Sequence, residues 1–202
     1  MIETYSTRFY DNSQLQATLD QIHTLSYHRT ETELRFSGEV FSAATEIVEE
    51  AIDLPENKKD GRYGGCMVYG RRSVSWTPAS LFIGGAIAED PEFGHKWDKY
   101  TLYAFGKAAV LISNQDFLTS GENKSLSQDR RLRIINNPVP GGGIATPDGS
   151  ILAFSGFSEE ADEAVCLATA WKVGLINEQQ ARIIANKGTG KSFDIAKTFI
   201  IH

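Results

Sequence analysis

The chain has 202 residues, of which 41% are hydrophobic and 23% charged, and it carries a formal net charge of -6 at pH 7. This composition predicts one globular domain and excludes a disordered or fibrous chain. The acidic balance also argues against nucleic acid as a partner, because binding to a phosphate backbone requires a clustered positive surface.

The sequence shows no signal for a membrane and none for a structural metal. Its first residues lack a basic segment followed by an apolar run, and no window approaches the roughly 18 apolar residues of a membrane span. We therefore expect a cytoplasmic protein without a membrane partner. Cys66 and Cys166 have no CxxC spacing, which excludes a zinc finger or a dithiol motif and predicts two reduced, buried thiols.

The N-terminal half alternates between helical and strand-like patterns. Apolar residues at helical spacing predict an amphipathic helix over residues 13–28, capped by Asn12 or Ser13. Residues 33–36 are typical of a short strand, and a second helix is expected from residue 39 to Pro55. A polar surface loop over 56–65 then precedes three short strands at 66–69, 73–76 and 81–87, which together predict an antiparallel meander.

The next predicted helix spans residues 97–113 and has a small-residue centre. Its members are Ala104, Gly106, Ala108 and Ala109. Such a centre permits close packing either against a sheet or against a second copy of the same helix. Residues 115–138 are expected to be irregular, with brief order at 132–135.

The segment 140–156 predicts a β-turn-β unit. A glycine cluster opens it, Pro147, Asp148 and Gly149 supply the turn, and the second strand ends at Ser155. Three successive glycines, 141–143, allow the backbone to approach a ligand closely, although the same residues can simply close a hairpin. On the ligand-binding alternative, Gly142→Val is expected to abolish binding without unfolding the protein.

Two helices are predicted after this unit. The first spans 159–173, begins with acidic residues that complement the helix dipole, and has one apolar face formed by Ala161, Ala164, Val165, Ala168 and Trp171. The second begins at Asn177, with Gln180 at the capping-box position. Residues 186–192 end in Gly-Lys-Ser but lack the glycine spacing of a phosphate loop, so we expect a helix stop at Gly188 followed by a segment that docks back on the body.

Four short motifs occur in a characteristic order along the chain. They are Gly106-Lys107-Ala108, the cluster Gly141 to Gly143, Ser155-Gly156 and Asp162-Glu163. Over residues 39–173 this succession resembles the GlcG/HbpS-like haem-binding family. The resemblance implies a profilin-like α/β fold of the α+β type, with a central antiparallel sheet flanked by helices, and assembly as a homodimer or a larger homo-oligomer. It makes haem a candidate cofactor, although none of the four histidines occupies a motif position, and it leaves residues 1–38 and 174–202 as peripheral additions to a single domain.

Lys107 and His95 are the candidate catalytic residues. Lys107 is flanked by small residues, and desolvation there would lower its pKa and suit it to act as a base, a Schiff-base amine or a carboxylate anchor. The alternative is a lysine that snorkels to solvent from the helix edge. His95 follows several carboxylates on a loop, where it can act as an acid or base or ligate iron, or can simply be exposed.

The candidate ligand-binding residues are Arg131, Arg133, Gly141, Gly142, Gly143 and Ser155. The arginines belong to a basic run whose forked donors suit a carboxylate or a phosphate, although such a run is also typical of a solvated surface. The sequence thus favours a protein that binds a small molecule, either haem or another tetrapyrrole or a small organic acid. The alternatives are an enzyme of the same fold that acts on a small acidic metabolite or degrades haem, and a structural oligomer without a ligand.

Overall fold

The computed structural model describes residues 31–72, 78–84, 96–134 and 136–200. The predicted helix over 13–28, the predicted strand over 73–76 and the loop that carries His95 lie outside these ranges. Within them the helices are α1 (Glu31–Ile52), α2 (Pro55–Lys59), α3 (Lys96–Ser113), α4 (Glu159–Lys172), α5 (Glu178–Lys187) and α6 (Ser192–Thr198), with a 3-10 helix at Ser120–Ser125 between α3 and α4. The strands are β1 (Gly64–Arg71), β2 (Ala79–Gly84), β3 (Arg133–Ile134), β4 (Asn137–Pro138), β5 (Gly143–Ala145) and β6 (Ser150–Ser155).

A four-stranded antiparallel sheet lies at the centre of an α+β fold, in the order β2-β1-β6-β5. The expected antiparallel arrangement and the flanking helices are confirmed. One face of the sheet packs on α1 and α4 through Met67, Leu152 and Phe154. The other face packs on α3 through Val68 and Ala153. Because both faces are covered, β6 is buried along its whole length.

Helix α1 begins earlier than the sequence pattern predicts. The expected strand over 33–36 is wrong, because these residues form the first turns of the helix. The side chain of Phe36 lies one turn before Val40, and it packs against the core with its ring 6.0 Å from that of Tyr69. The short apolar run is therefore the start of the buried helical stripe and not an alternating strand.

The predicted surface loop over 56–65 is also partly wrong. Pro55 starts the short helix α2, where its fixed φ is favourable and its missing amide costs no hydrogen bond. The side chain of Asn57 is buried and donates to the carbonyl of Ala51 at 2.8 Å. Strand β1 begins at Gly64, where an added Cβ would overlap the carbonyl of Ile83 on β2.

Helix α3 matches its predicted span to within one residue, and its small residues face the protein's own interior. Ala104 and Ala108 are buried against the sheet. An added Cβ on Gly106 would stand 2.5 Å from the Cδ1 atom of Ile134 on β3. The sheet alternative is thus confirmed, while pairing of this helix with a second copy stays a prediction.

Helix α4 is buried more completely than a one-faced pattern indicates. Every residue from 161 to 170 is buried, because α1, the sheet and α6 surround the helix. Its start agrees with the sequence pattern, since Ser158 accepts a hydrogen bond from the Ala161 amide. No helix in the described ranges is long and apolar enough to cross a bilayer.

The C-terminal segment follows its predicted pattern. Asn177 and Gln180 form the expected capping box of α5, and Gly188 ends that helix. Helix α6 then returns to the body, where the ring of Phe193 stacks on Trp171 at 6.2 Å between centroids. The irregular region before β5 contains the 3-10 helix and the two-residue pair β3–β4, so the brief order expected near 132–135 is confirmed.

Candidate functional site

Lys107 and Asp162 form a buried ion pair between α3 and α4. The Lys107 Nζ donates to Asp162 Oδ2 at 2.7 Å and to the Phe154 carbonyl at 2.7 Å. The two side chains are only 1% and 5% exposed. The alternative of a lysine that snorkels to solvent is therefore wrong, and the ammonium instead joins α3, α4 and the end of β6.

Asp162 also organises the turn that leads from β6 into α4. Its Oδ1 accepts hydrogen bonds from the amides of Gly156 at 3.1 Å and Phe157 at 2.8 Å. Burial raises the pKa of the Asp162 carboxyl, while the Lys107 ammonium and the two amides oppose that rise. Each oxygen of the carboxyl group thus has a hydrogen-bond donor, as a buried carboxylate requires.

The glycine cluster lies directly against this ion pair. Gly142 has a φ of 107°, and a Cβ built on it would stand 2.5 Å from Asp162 Cβ and 2.7 Å from Lys107 Nζ. A Cβ on Gly141 would stand 2.5 Å from Glu159 Oε1, and one on Gly143 would stand 3.2 Å from Lys107 Cβ. The close approach that the sequence predicts at these glycines is thus made by the protein's own side chains, and contact with a ligand stays a prediction.

Two further groups complete the surroundings of the cluster. The Cys166 thiol donates to the Gly142 carbonyl at 3.4 Å, and burial raises its pKa. Ser155 is buried at the end of β6, where it pairs with Cys66 of β1. All four short motifs that carry the family resemblance therefore meet within one region of the fold.

Glu163 occupies a second buried position beside the first. It is 0% exposed, and it accepts hydrogen bonds from the hydroxyl groups of Thr119 at 2.6 Å and Ser192 at 2.5 Å. Burial raises the pKa of the Glu163 carboxyl, and the negative charge of Glu159 adds to the rise. Thr119 and Ser192 could not be found from the sequence, because they lie 44 and 29 positions from Glu163 and no short motif contains both partners.

The basic loop, residues 124–133, lies beside the glycine cluster. Asn123 holds the end of this loop, since its side chain bonds both the amide and the carbonyl of Leu132 and also the carbonyl of Val139. Ser120, at the start of the 3-10 helix, donates to the Pro140 carbonyl at 3.2 Å and accepts from the Gly143 amide at 3.0 Å. The 3-10 helix therefore connects the arginine run to the glycine cluster.

The guanidinium groups of Arg131 and Arg133 donate hydrogen bonds to backbone carbonyls in the basic loop or just after it. Arg131 Nη2 donates to the carbonyls of Lys124 at 2.6 Å and Leu126 at 2.9 Å, and Arg133 Nη1 donates to that of Asn136 at 3.2 Å. The Nε of Arg131 is buried and has no acceptor among the described residues. These contacts fix the run in place and leave one charged donor without a partner within the described ranges.

Lys124 extends the basic loop towards helix α4. Its Nζ lies 2.5 Å from Glu159 Oε2, and the other oxygen of Glu159 faces Gly141. The side chain of Lys124 is exposed, whereas that of Glu159 is about a quarter exposed. The Lys124–Glu159 ion pair thus lies at the surface between the basic loop and the glycine cluster.

The described residues offer no cluster of side chains for a metal centre. They contain no group of three or more His, Cys, Asp or Glu side chains that could hold a metal ion. Cys66 and Cys166 are buried free thiols, and desolvation raises the pKa of Cys66 to about 12, which disfavours its thiolate form. His95 and the other three histidines lie outside the described ranges.

Comparison with known proteins adds no relative from which a function could be transferred. No family model matches the sequence, and neither a curated protein nor a solved structure matches it. The function of this protein is therefore inferred from its own residues and their geometry.

Proposed function

We propose that this protein binds a small anionic molecule, a carboxylic acid or a tetrapyrrole that carries carboxylates, at the basic loop beside the glycine cluster. The observation that carries the proposal is the buried Nε of Arg131, which has no acceptor in the part of the chain that the structure describes. A buried charged donor is normally hydrogen-bonded, and because Arg131 Nη2 already donates to two carbonyls, the Nε offers one charge-assisted hydrogen bond to a carboxylate oxygen.

The surroundings of Arg131 support this assignment. Arg130 and Arg133 are exposed on the same loop, so the local potential favours an anion even though the whole chain is acidic. The loop is held by Asn123 and by the capping box of the 3-10 helix, in which Thr119 and Glu122 bond each other's backbone amides. A preorganised loop loses less conformational entropy when it binds a ligand.

A titration of the protein with citrate tests the proposal, with calorimetry as the readout. A charge-assisted contact contributes about 1.5–3 kcal/mol, so Arg131→Gln is expected to bind citrate roughly ten- to hundred-fold more weakly than the wild type. Lys59→Gln removes one exposed positive charge elsewhere and is the matched control. Absence of binding of both citrate and hemin to the wild type, or equal affinities of the wild type and Arg131→Gln for the ligand that binds, would contradict the proposal.

A parallel titration with hemin distinguishes the tetrapyrrole from a simple organic acid. A sharp Soret band that is lost in Arg131→Gln and kept in Lys59→Gln supports the tetrapyrrole. When bound, haem supplies iron-centred redox chemistry, and the arginines of the basic loop suit its carboxylates. Citrate binding without a Soret band restricts the ligand to small organic acids.

The second candidate is an enzyme of the same fold, and one observation favours it. Asp162 and Cys166 both have raised pKa values and interact with the Lys107 charge, the adjacent Glu163 also has a raised pKa, and such clusters of perturbed groups occur often at catalytic sites. In this alternative the Lys107 amine leaves Asp162 and binds the substrate, and His95 transfers protons to or from the substrate. Turnover of a bound acid, or of hemin under a reductant, that is abolished in Lys107→Met with binding retained would support the enzyme.

A further inference from the structure

Two neighbouring carboxyl groups on α4 have opposite surroundings. Asp162 faces the Lys107 ammonium, whereas the partners of Glu163 among the described residues are two hydroxyl groups and the backbone amide of Thr189. Both side chains are buried, with exposed fractions of 3% and 0% for the two residues. A carboxyl group in such a place is expected to keep its proton more readily than one that is paired with a cation.

Glu163 connects the body of the protein to the C-terminal helical pair, α5 and α6. Thr119, on the body side, is the N-cap of the 3-10 helix, and Ser192 is the first residue of α6. Gly188, which ends α5, packs so closely that an added Cβ would overlap the Glu163 carboxyl. One acid side chain is thus hydrogen-bonded across the boundary between these two parts.

The charged groups near Glu163 do not neutralise it. On its own helix the nearest charges are Glu159, which is of like sign, and Asp162, which is paired with Lys107 of α3. On the 3-10 helix, Glu122 bonds the amides of Leu118 and Thr119, and Lys124 is paired with Glu159. The charged residues at the end of α5 and the start of α6, namely Lys187, Lys191 and Asp194, are exposed.

We propose that Glu163 is a proton-dependent latch: as a neutral acid it donates its proton in a hydrogen bond to one of the two hydroxyl oxygens, accepts from the other hydroxyl, and so holds the C-terminal helical pair on the body. Loss of that proton to solvent water loosens the pair. The step breaks only the O–H bond of the acid, and a water molecule takes up the proton. Burial is the main cause of the raised pKa of Glu163. The hydrogen bonds of the Ser192 and Thr119 hydroxyl groups act in the opposite direction and lower the pKa. Because the pKa is higher in the folded state than its ordinary value of 4.5, the stabilisation is complete below that value and is lost as the pH rises through the folded-state pKa.

Hydrogen exchange of the intact protein between pH 5 and pH 9 tests the latch, after correction for the intrinsic pH dependence of exchange. Amides in residues 188–200 of the wild type are expected to lose protection as the pH rises, by at most about tenfold per pH unit, the limit for one proton. Glu163→Gln keeps an acceptor oxygen and cannot ionise, so its protection is expected to be independent of pH. Glu50→Gln removes an exposed carboxylate from α1 and is expected to behave as the wild type.

Parallel pH dependences in the wild type and in Glu163→Gln would overturn the latch. A second variant, Ser192→Ala, keeps the titrating group and removes one hydrogen bond, so we expect lower protection at every pH with the pH dependence retained. Should Glu163→Gln fail to fold, the carboxyl carbon of Glu163 in the wild type can be titrated by nuclear magnetic resonance. A pKa at or below 4.5 would then contradict the latch, and a higher pKa that coincides with the loss of protection would support it.

Discussion

Lys107 and Asp162 stand 55 positions apart in the sequence, and in the fold they form a buried ion pair with 2.7 Å between Nζ and Oδ2. Burial of two charges is costly, and the pair is tolerated because its remaining hydrogen bonds are made by the Phe154 carbonyl and by two backbone amides. The pair therefore ties α3, β6 and α4 together at the position where the glycine cluster passes.

The first prediction concerns Gly142. An alanine there would carry a positive φ and would also press its Cβ against the ion pair, so Gly142→Ala is expected to lower the free energy of unfolding by about 3 kcal/mol. Gly174→Ala is the matched control, because Gly174 has a φ of 77° but no atom within 4 Å of its added Cβ, and we expect a loss of about 1 kcal/mol. Urea unfolding measures both losses, and equal losses would show that the close contact is unimportant.

This geometry revises the expectation that Gly142→Val leaves the protein folded. A valine is larger than an alanine, and the added methyl groups would have to displace Asp162 or Lys107. A ligand-binding defect in such a variant would therefore not separate binding from folding.

The second prediction concerns Arg72, whose guanidinium group caps the C-terminal end of α3. It donates to the carbonyls of Leu111, Asn114, Gln115 and Phe117. A lysine cannot reproduce this planar set of donors, so Arg72→Lys is expected to lower the free energy of unfolding by about 2 kcal/mol. Arg130→Lys changes an exposed residue and is expected to have no measurable effect. Thermal unfolding of both variants gives the comparison, and an unchanged melting temperature in Arg72→Lys would argue against the cap.

The third prediction concerns the two thiols. Burial raises the pKa of Cys66 to about 12 and also raises that of Cys166, so neither is a thiolate at pH 8. We expect a disulfide reagent such as Ellman's reagent to leave the native protein unmodified and to react with both cysteines after denaturation. Rapid reaction of one thiol in the native protein would indicate that this cysteine is accessible.

The features of the fold that can be predicted correctly from the sequence depend on residues that are close together along the chain. The capping box of Asn177 and Gln180 depends on neighbours within three residues, and it occurs as expected. The sequence pattern places the start of α1 too late. Phe36 belongs to the same buried helical stripe as Val40, but the pattern shows this stripe only from Val40 onward.

Contacts between distant segments could not be predicted in the same way. The sequence singled out Lys107, but nothing in its spacing indicates that Asp162 is the partner, because the pairing follows from how α3 and α4 pack on the sheet. Glu163 and Ser192 are likewise brought together by the return of α6 to the body. The pattern of one apolar face on α4 was misleading because three neighbouring layers bury the helix on all sides.

A double-mutant cycle on Lys107 and Asp162, followed by urea unfolding, tests most directly whether this ion pair organises the candidate site. Each of Lys107→Met and Asp162→Asn leaves a buried charge without its partner and is expected to lower the free energy of unfolding by about 3–5 kcal/mol. The double variant removes both charges, so its loss is expected to fall short of the sum of the single losses by more than about 1 kcal/mol. Losses that add to within about 0.5 kcal/mol would contradict the account, because they would show that the two residues act independently.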